Sequence, residues 1–494
     1  MTLINKLSDK LLATKLLFRI LCILVPSLLI GCSAKPEQWL NKESMSLPTA
    51  YQGEVFLIPE APQALAYRIQ AVRNAERYIE VEYFSWNADA SGMTLWNELL
   101  AAAKRGVKVS VIVDDLLIFD EKWLVDIDRH PNLSIKLFNP FNARKMGWLT
   151  RAADFEMHRE RLNHRLHEKY FNVDGQLMVL GGRNIGDDYF GFSPDANFFD
   201  LDVLVKGEVI SAYEENFDQL WVSELVVPVR AVIAYSAKRH DGSFAAAYQQ
   251  NIANNQMIVE SIERKLELLP DPKYIEADLF PMFDSKRKRS DSQSYLRKRI
   301  EHFANINEWP QKELVLSTPY MIQSQEHDSM FSALVERDVD VTVLTNSVAS
   351  NDSPFAAAYY QTYRLALLDL GIKVFEYDSH SLHSSNYFNS HGYYHNKAFI
   401  ADNRISFIGS SNFDPRSDMT NLELGLLVES DEFARDLKMY LQAGNPDKFW
   451  QVGRHQDDLV WSKQNEIKLM EPRMKSNQRL TNGFYRMLKI QNEL

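Results

Sequence analysis

Polar and apolar residues alternate along Tyr78-Ile-Glu-Val-Glu-Tyr-Phe-Ser-Trp86, a period of two that predicts a strand. Gly92 to Arg105, rich in Leu and Ala, has helical periodicity, and Val107 to Asp114 reads as a second strand. The same order returns later. Glu313 to Tyr320 parallels the first strand, Asp328 to Arg337 the helix, and Val339 to Asn346 the second strand. Ser134 to Phe138 likewise matches Gly371 to Phe375. Several matches in one order at a nearly constant offset predict a duplicated α/β domain, its strands alternating with crossover helices in a mixed or largely parallel sheet. The first unit is expected over residues 51–227 and the second over 311–450, followed by a tail over 451–494. Residues 228–310 show no partner in the first half and read as an inter-domain insertion.

Ahead of these units, Lys6, Lys10, Lys15 and Arg19 precede a short apolar run from Ile20 to Ile30. That is the layout of a secretory signal. No apolar run reaches the roughly 18 residues that a spanning helix needs, which excludes a polytopic membrane protein. Leu29-Ile30-Gly31-Cys32 resembles the bacterial lipobox, which implies removal of residues 1–31, lipidation of Cys32 and a tether over 32–50; an uncleaved anchor is the alternative. Either way the body is exported and tethered to the cell envelope, facing the periplasm. In such lipoproteins Ser33, rather than an Asp, after the cysteine favours the outer over the inner membrane. Cys22 and Cys32 are the only cysteines, so the rest of the chain has no disulfide and no Cys-based metal site.

With 45% hydrophobic and 24% charged residues the chain is globular, and disordered or collagen-like architectures are excluded. The net charge is −11, and removal of residues 1–31, with four basic residues and one acidic, leaves −14. That argues against a polyanion-coating protein. Against this background three basic stretches stand out. Lys286-Arg-Lys-Arg289 with Arg297-Lys-Arg299 reads either as an attractor of anionic headgroups or as a solvated loop. Arg144, Lys145, Arg151, Arg159, Arg161 and Arg165 line the entrance to an anionic site or form a solvated helix face. The tail from Lys463 carries basic residues among Phe484, Tyr485, Met487, Leu488 and Ile490, as a membrane-surface helix or a solvent-facing closing segment would.

The strongest chemical signal is His167-Glu-Lys169 with Asp174, then Gly181-Gly182-Arg-Asn184, and its echo His395-Asn-Lys397 with Asp402, then Gly409-Ser410-Ser-Asn412. His to Asn is 17 residues in both copies. Read as strands, these segments place His and Lys, two residues apart, on one face. Asp174-Gly175 and Asp402-Asn403 are two-residue turn signals, so each motif is a β-hairpin that returns its Asn towards the His, past glycines that allow an anion close to the backbone. Phosphate suits the set. Lys supplies charge, Asn a donor, and imidazole can attack phosphorus or pass a proton. With two sets, one His can be the nucleophile while the other protonates the leaving oxygen, and two Lys with two Asn neutralise charge without a metal or other cofactor. His391 and His395 have the spacing of a helical metal pair, but the segment reads as strand and no zinc site is expected there.

The duplicated pattern resembles the phospholipase D superfamily, most closely its bacterial cardiolipin synthase branch in the shorter form without N-terminal transmembrane helices. The resemblance implies two α/β/α sandwich domains packed about a pseudo-two-fold axis with one shared active site, and a phosphohistidine intermediate. It makes His167 the nucleophile, His395 the general acid and then base, and Asp174 and Asp402 structural. It also calls for an acidic residue behind each imidazole, and Glu423 and Asp202 fit. The implied activity is transfer of a phosphatidyl group between membrane phospholipids, with phosphatidylglycerol or phosphatidylethanolamine as acceptor, no nucleic acid and no required protein partner. A hydrolase of the same superfamily, phospholipase or nuclease, and a non-catalytic phospholipid-binding lipoprotein are the alternatives.

Overall fold

The computed structural model describes residues 48–488 apart from 120, 145–146, 234–241, 289–293, 442–444, 446 and 457. The leader, Cys32 and nearly all of the expected tether lie outside the described residues. Three strands run parallel in each half: Tyr78–Tyr83, Lys108–Asp114 and Leu133–Phe138 in the first, and Glu313–Ser317, Asp340–Asn346 and Lys373–Tyr377 in the second. Crossover helices join them. Ala90–Arg105 begins two residues before the Leu/Ala pattern does, because Asp89 caps it by accepting from the Gly92 N–H at 3.0 Å; Gly106 ends it at φ 108°. Ser324 and Ser353 cap Gln325–Glu336 and Pro354–Asp369 in the same way.

Beside the first parallel strand of each half lies the expected hairpin, Tyr170–Val173 with Leu177–Gly181 and Ala398–Ala401 with Ile405–Gly409. Asp202–Gly207 and Leu424–Glu429 continue the two sheets antiparallel, and Tyr51–Leu57 and Ile275–Phe283 follow them. These last two strands pair antiparallel with each other and close the halves into one sheet of 18 strands among the described residues. Pairing of two equivalent strands in opposite directions is the signature of a pseudo-two-fold axis through the seam. A core cluster takes Val55 and Leu180 from one half and Leu279, Ile408 and Leu426 from the other, with the helices Ile210–Trp221 and Asp431–Leu441 packed into it. The halves therefore share buried apolar surface across the seam.

The expected insertion over 228–310 divides. Ile275–Phe283 and Tyr295–Asn307 hold the places that Tyr51–Leu57 and Ala61–Asn74 hold in the first half, so the second unit starts near residue 275. Their sequences share no pattern that would reveal the match. Among the described residues Ser243–Asn254 and Gln256–Glu267 lack a counterpart, and they pack on Ala61–Asn74 and Ala90–Arg105. Nor does the second sheet stop at 450: Phe449–His455 pairs with Lys373–Tyr377 and leads into two further strands and a closing helix, Ser476–Met487.

Both hairpin turns have two central residues at positive φ, Asp174 and Gly175 at 59° and 66°, Asp402 and Asn403 at 54° and 52°, the primed geometry that matches strand twist. Each aspartate also ties its hairpin to the first parallel strand. Asp174 accepts the N–H groups of Glu76, Arg77 and Tyr78 at 2.8 Å each, and Asp402 those of Gln311, Lys312 and Glu313 at 2.8, 2.7 and 3.1 Å. Burial alone would raise the Asp174 carboxyl, but the three donors hold it below its usual 3.8. Asp174→Ala is expected to lower stability by about 3 kcal/mol, read from the urea midpoint at neutral pH. Because the folded value lies below the unfolded one, this contribution is full above the unfolded value and disappears as pH falls through the folded one. Wild type and variant should therefore converge in acid, and an equal midpoint at neutral pH would refute the tie.

Candidate active site

His167 and His395 sit in extended backbone just before the hairpin strands. Lys169 Nζ donates to the His167 carbonyl at 2.6 Å and Lys397 Nζ to the His395 carbonyl at 2.7 Å, so each ammonium turns back to its own histidine. The residue ahead of each histidine is held by the end of the second parallel strand. Asp114 accepts from the Leu166 N–H at 2.8 Å, and Asn346 from the Tyr394 N–H at 2.9 Å.

The two halves then cross over. Leu166 forms a parallel bridge with Leu422, and the His167 N–H donates to the Leu422 carbonyl at 2.9 Å. In the other direction His391–Tyr394 pairs in parallel with Ala196–Phe199, and the His395 N–H donates to the Phe199 carbonyl at 2.9 Å. The residues after Leu422 and Phe199 are the acids that hold the imidazoles. His167 Nδ1 meets Glu423 at 2.8 and 3.0 Å, and His395 Nδ1 meets Asp200 at 2.5 Å. Each histidine is thus oriented by a carboxylate of the opposite half, which leaves its Nε2 for the site.

Glu423 stands where expected, whereas Asp202 does not. Asp202 pairs with Arg68 at 2.9 Å and with Arg183 at 3.5 Å, fully buried in the first half. Strand register explains the difference: Gly181 lies opposite Asp202 as Gly409 lies opposite Gly425, so Asp202 is the counterpart of Gly425 and Asp200 that of Glu423. Aligning Phe199-Asp200-Leu201 with Leu422-Glu423-Leu424 would have found Asp200 in the sequence.

The small residues after each return strand serve these acids. A Cβ on Gly182 would lie 2.2 Å from Asp200 Oδ1, and one on Gly181 2.4 Å from the Leu201 carbonyl. Gly409 is equally closed in by the Leu424 carbonyl, at 2.5 Å. Ser410, in the place of Gly182, donates its hydroxyl to Glu423 at 2.5 Å. The anion that approaches Gly182 is therefore the protein's own carboxylate. Asn184 takes the Ser85 N–H at 3.3 Å and donates to Tyr189 at 2.9 Å, while the Asn412 amide oxygen is buried with no hydrogen-bond partner among the described residues.

Burial, reinforced by Lys169 and Lys397, holds the His167 imidazole well below its usual value. Burial and Lys397 lower His395 to about 4, against the pull of Asp200. Lys169 falls to about 7 and Lys397 to about 8 through burial; Lys169 also feels the charge of Lys397. With each histidine paired to the opposite half, the charge of Lys397 reaches His167 and Lys169, and both motifs lie in one electrostatic site. The two acids differ. Burial raises Glu423 to about 7 despite Lys169, whereas Asp200, equally buried, is held below its usual value by His395 and Lys397. Phe84 stands edge-on to His167 at 5.4 Å, and Tyr189 and Phe198 flank His395 at 5.5 and 5.0 Å.

Within two of the basic stretches several residues are braces, while Arg159 and Arg287 are exposed and Lys145 and Arg289 lie outside the described residues. Lys288, fully buried, donates to Asp284 and to the Ser417 carbonyl at 2.6 Å each, and Asp284 in turn accepts the Glu423 N–H at 3.1 Å. Lys286 lies 3.6 Å from Glu168, the middle residue of the first motif. Upstream of that motif Arg165 pairs with Asp114 at 3.0 Å, Arg144 with Asp115, and Arg151 is buried against the carbonyls of Asp115 and Leu116. His391 lies on a strand, as expected, and its Nε2 meets the Ala349 carbonyl at 2.8 Å.

Two hairpins with His, Lys and Asn at matched spacing, joined about one site, define a two-domain phospholipase D-like protein. A family model described as cardiolipin synthase, PLD-like domain, matches residues 69–221 and 305–443, and the chain belongs to this family. It is 32% identical over 431 residues to cardiolipin synthase C of Escherichia coli, covering 83% of this chain and 88% of that protein. It is 25% identical to cardiolipin synthase A of Pseudomonas fluorescens, covering 80% and 69%. The solved phosphatidylserine synthase of Haemophilus influenzae has the same fold, with a TM-score of 0.58 at 14% identity over 90% of this chain and 97% of that one.

With histidine nitrogens labelled by 15N, both site imidazoles should be neutral at pH 6 with the proton on Nδ1. Asp200→Asn is expected to change the tautomer of His395 and leave that of His167 alone. Asp202→Asn should instead lower stability by about 3 kcal/mol, because it leaves Arg68 buried without its counter-charge. A changed His395 tautomer in Asp202→Asn would reverse the assignment.

Proposed function

We propose that the protein is a phosphatidyltransferase that makes cardiolipin from membrane phospholipids by a double displacement at the two histidines. The observation that carries this reading is the meeting of two His-Lys-Asn sets, with each imidazole oriented by the other half's carboxylate. In the first step His167 Nε2 attacks the phosphorus of a phospholipid. The N–P bond forms, the bond from phosphorus to the headgroup oxygen breaks, and His395, which takes up a second proton from solvent on Nε2 as the anionic phosphodiester binds, gives that proton to the oxygen. In the second step a hydroxyl of another phospholipid loses its proton to His395 and attacks the same phosphorus, which breaks the N–P bond and frees His167.

The surroundings of the histidines support this order. His167 is held neutral, and a neutral imidazole has the lone pair that a nucleophile needs. His395 faces the carboxylate that stays ionised, and so is better placed to carry a proton. Lys169 and Lys397 each use one N–H on a carbonyl and keep two for the phosphoryl oxygens. Transfer and hydrolysis share these groups and differ in which acceptor reaches the phosphohistidine. A nuclease would be served by a basic body, and this chain is acidic. Among the described residues no helix is long and apolar enough to cross a membrane. Attachment to the envelope through Cys32, with the body in the periplasm and the outer membrane as its site, completes the proposal.

Isotope-labelled phosphatidylglycerol, given to the purified protein with and without phosphatidylethanolamine, tests it by mass spectrometry of the lipids. Labelled cardiolipin that vanishes in His167→Ala and in His395→Ala is the expected result, and the released alcohol identifies the donor. Phosphatidic acid in its place would make the protein a phospholipase, and full activity in either variant would refute the mechanism. Activity should survive EDTA. kcat/KM should fall as pH rises above about 4, where His395 of the free enzyme lacks the proton it must deliver, and more steeply through about 7 to 8, where Lys169 and then Lys397 lose their charge.

A further inference from the structure

The closing helix Ser476–Met487 turns Asn482 and Arg486 towards the protein and an apolar stripe away from it. Asn482, 2% exposed, faces the protein and donates to Gln361 at 2.9 Å, and Arg486 donates to Gln361 and to the Ala358 carbonyl at 3.3 Å each. Leu480, Phe484 and Met487 form the opposite stripe and are 81, 41 and 77% exposed. An ordinary surface helix has the reverse arrangement. Just upstream Ile467, Leu469 and Met470 are exposed by about as much. Glu471 and Asn482 both bond Gln361, so the upstream turn and the stripe lie on one side of Pro354–Asp369.

Charge and position add to this. Of the basic residues described from Lys463 on, Lys463 and Arg473 pair with Asp378, Lys468 pairs with Glu466 and Arg486 faces the protein, which leaves Lys475 and Arg479 as the exposed cations beside the stripe. The helix ends next to the site: the rings of Phe355 and Tyr485 are 4.4 Å apart, and Asp352, just before that helix, accepts from Tyr320 at 2.9 Å and acts electrostatically on His395 and Lys397.

We propose that the stripe of Leu480, Phe484 and Met487, with the exposed turn at Ile467 to Met470, docks into the headgroup region of an anionic phospholipid bilayer and seats the mouth of the site against it. An apolar stripe with the exposed cations Lys475 and Arg479 beside it fits such a surface. A second copy of the chain would set two basic tails against each other. The purpose of docking rests on the proposed action on phospholipids; the docking itself does not.

The test uses the full chain with Cys22→Ser and Cys32→Ser, and an environment-sensitive fluorophore on a cysteine introduced by Leu480→Cys. Met257→Cys, at a position 67% exposed on a helix without a counterpart in the first half, is the control. Vesicles of phosphatidylglycerol and phosphatidylethanolamine should shift the label at 480 to the blue and leave that at 257 unchanged. Equal, water-like emission at both positions would overturn the proposal. So would a shift at 480 already present without vesicles, which would mean that the leader or a second copy covers the stripe. Leu480→Asp with Phe484→Asp should lower turnover on vesicles about tenfold, the effect of losing about 1.4 kcal/mol of burial, with turnover in detergent mixed micelles unchanged. Equal loss in both media would make the helix structural and also overturn docking. If the wild type makes no product from any phospholipid, the enzymatic reading fails while the fluorescence still decides docking.

Discussion

The site depends on two short stretches of parallel backbone pairing across the seam, Leu166 with Leu422 and His391–Tyr394 with Ala196–Phe199. Each fixes a histidine and the acid that orients it in the same few hydrogen bonds, so the Nδ1 contacts are set by backbone register and not by flexible side chains. A one-residue slip would turn the acid to the other face and leave its histidine without a partner. The rest of the fold serves that register. Asp114 and Asn346 hold the approach to each histidine, Asp174 and Asp402 pin the hairpins, and Lys288 with Asp284 steadies the backbone of Glu423.

Inside that frame two ammonium groups and two imidazoles share a space from which water is nearly excluded. Without an anion the arrangement is electrostatically uncomfortable, which is why both lysines and both histidines lie below their usual values. On the proposed reading, a phosphodiester that enters would restore the charged forms of the lysines, a relief available only to a ligand with charge in the right place. Asp200 and Glu423 then differ usefully: one stays ionised behind its histidine, and the other sits near the balance point.

Much of this was legible in the sequence because the hairpin motifs are local. His167, Lys169, Asn184 and their echoes lie within a span that two strands and a turn determine, and period-two reasoning is enough to face them together. The acids are harder, since they reach their histidines across the seam. The family resemblance called for an acid behind each imidazole, and Glu423 and Asp202 fitted; Asp200 escaped because the loop through Tyr189 changes the count while strand register does not. The buried lysines failed for another reason. Lys288 is indistinguishable in sequence from a solvated neighbour, and only the distant Asp284 and Ser417 decide its place. Duplication of Tyr51–Leu57 as Ile275–Phe283 was hidden because both are defined by pairing with each other, which no local pattern records.

The exchange of carboxylates between halves has a consequence for how such a chain can be divided. A single repeat would hold a histidine and a lysine but no acid against that histidine, whereas two copies about a true two-fold axis would complete both. Such a dimer would have a site whose existence depends on protomer concentration, and would lose it on dilution. Joining the repeats in one polypeptide replaces that encounter by an effective concentration set by the connecting segment. The two halves are then free to diverge, as Asp200 with Gly182 and Glu423 with Ser410 have done, without any loss of the pairing that makes either histidine competent.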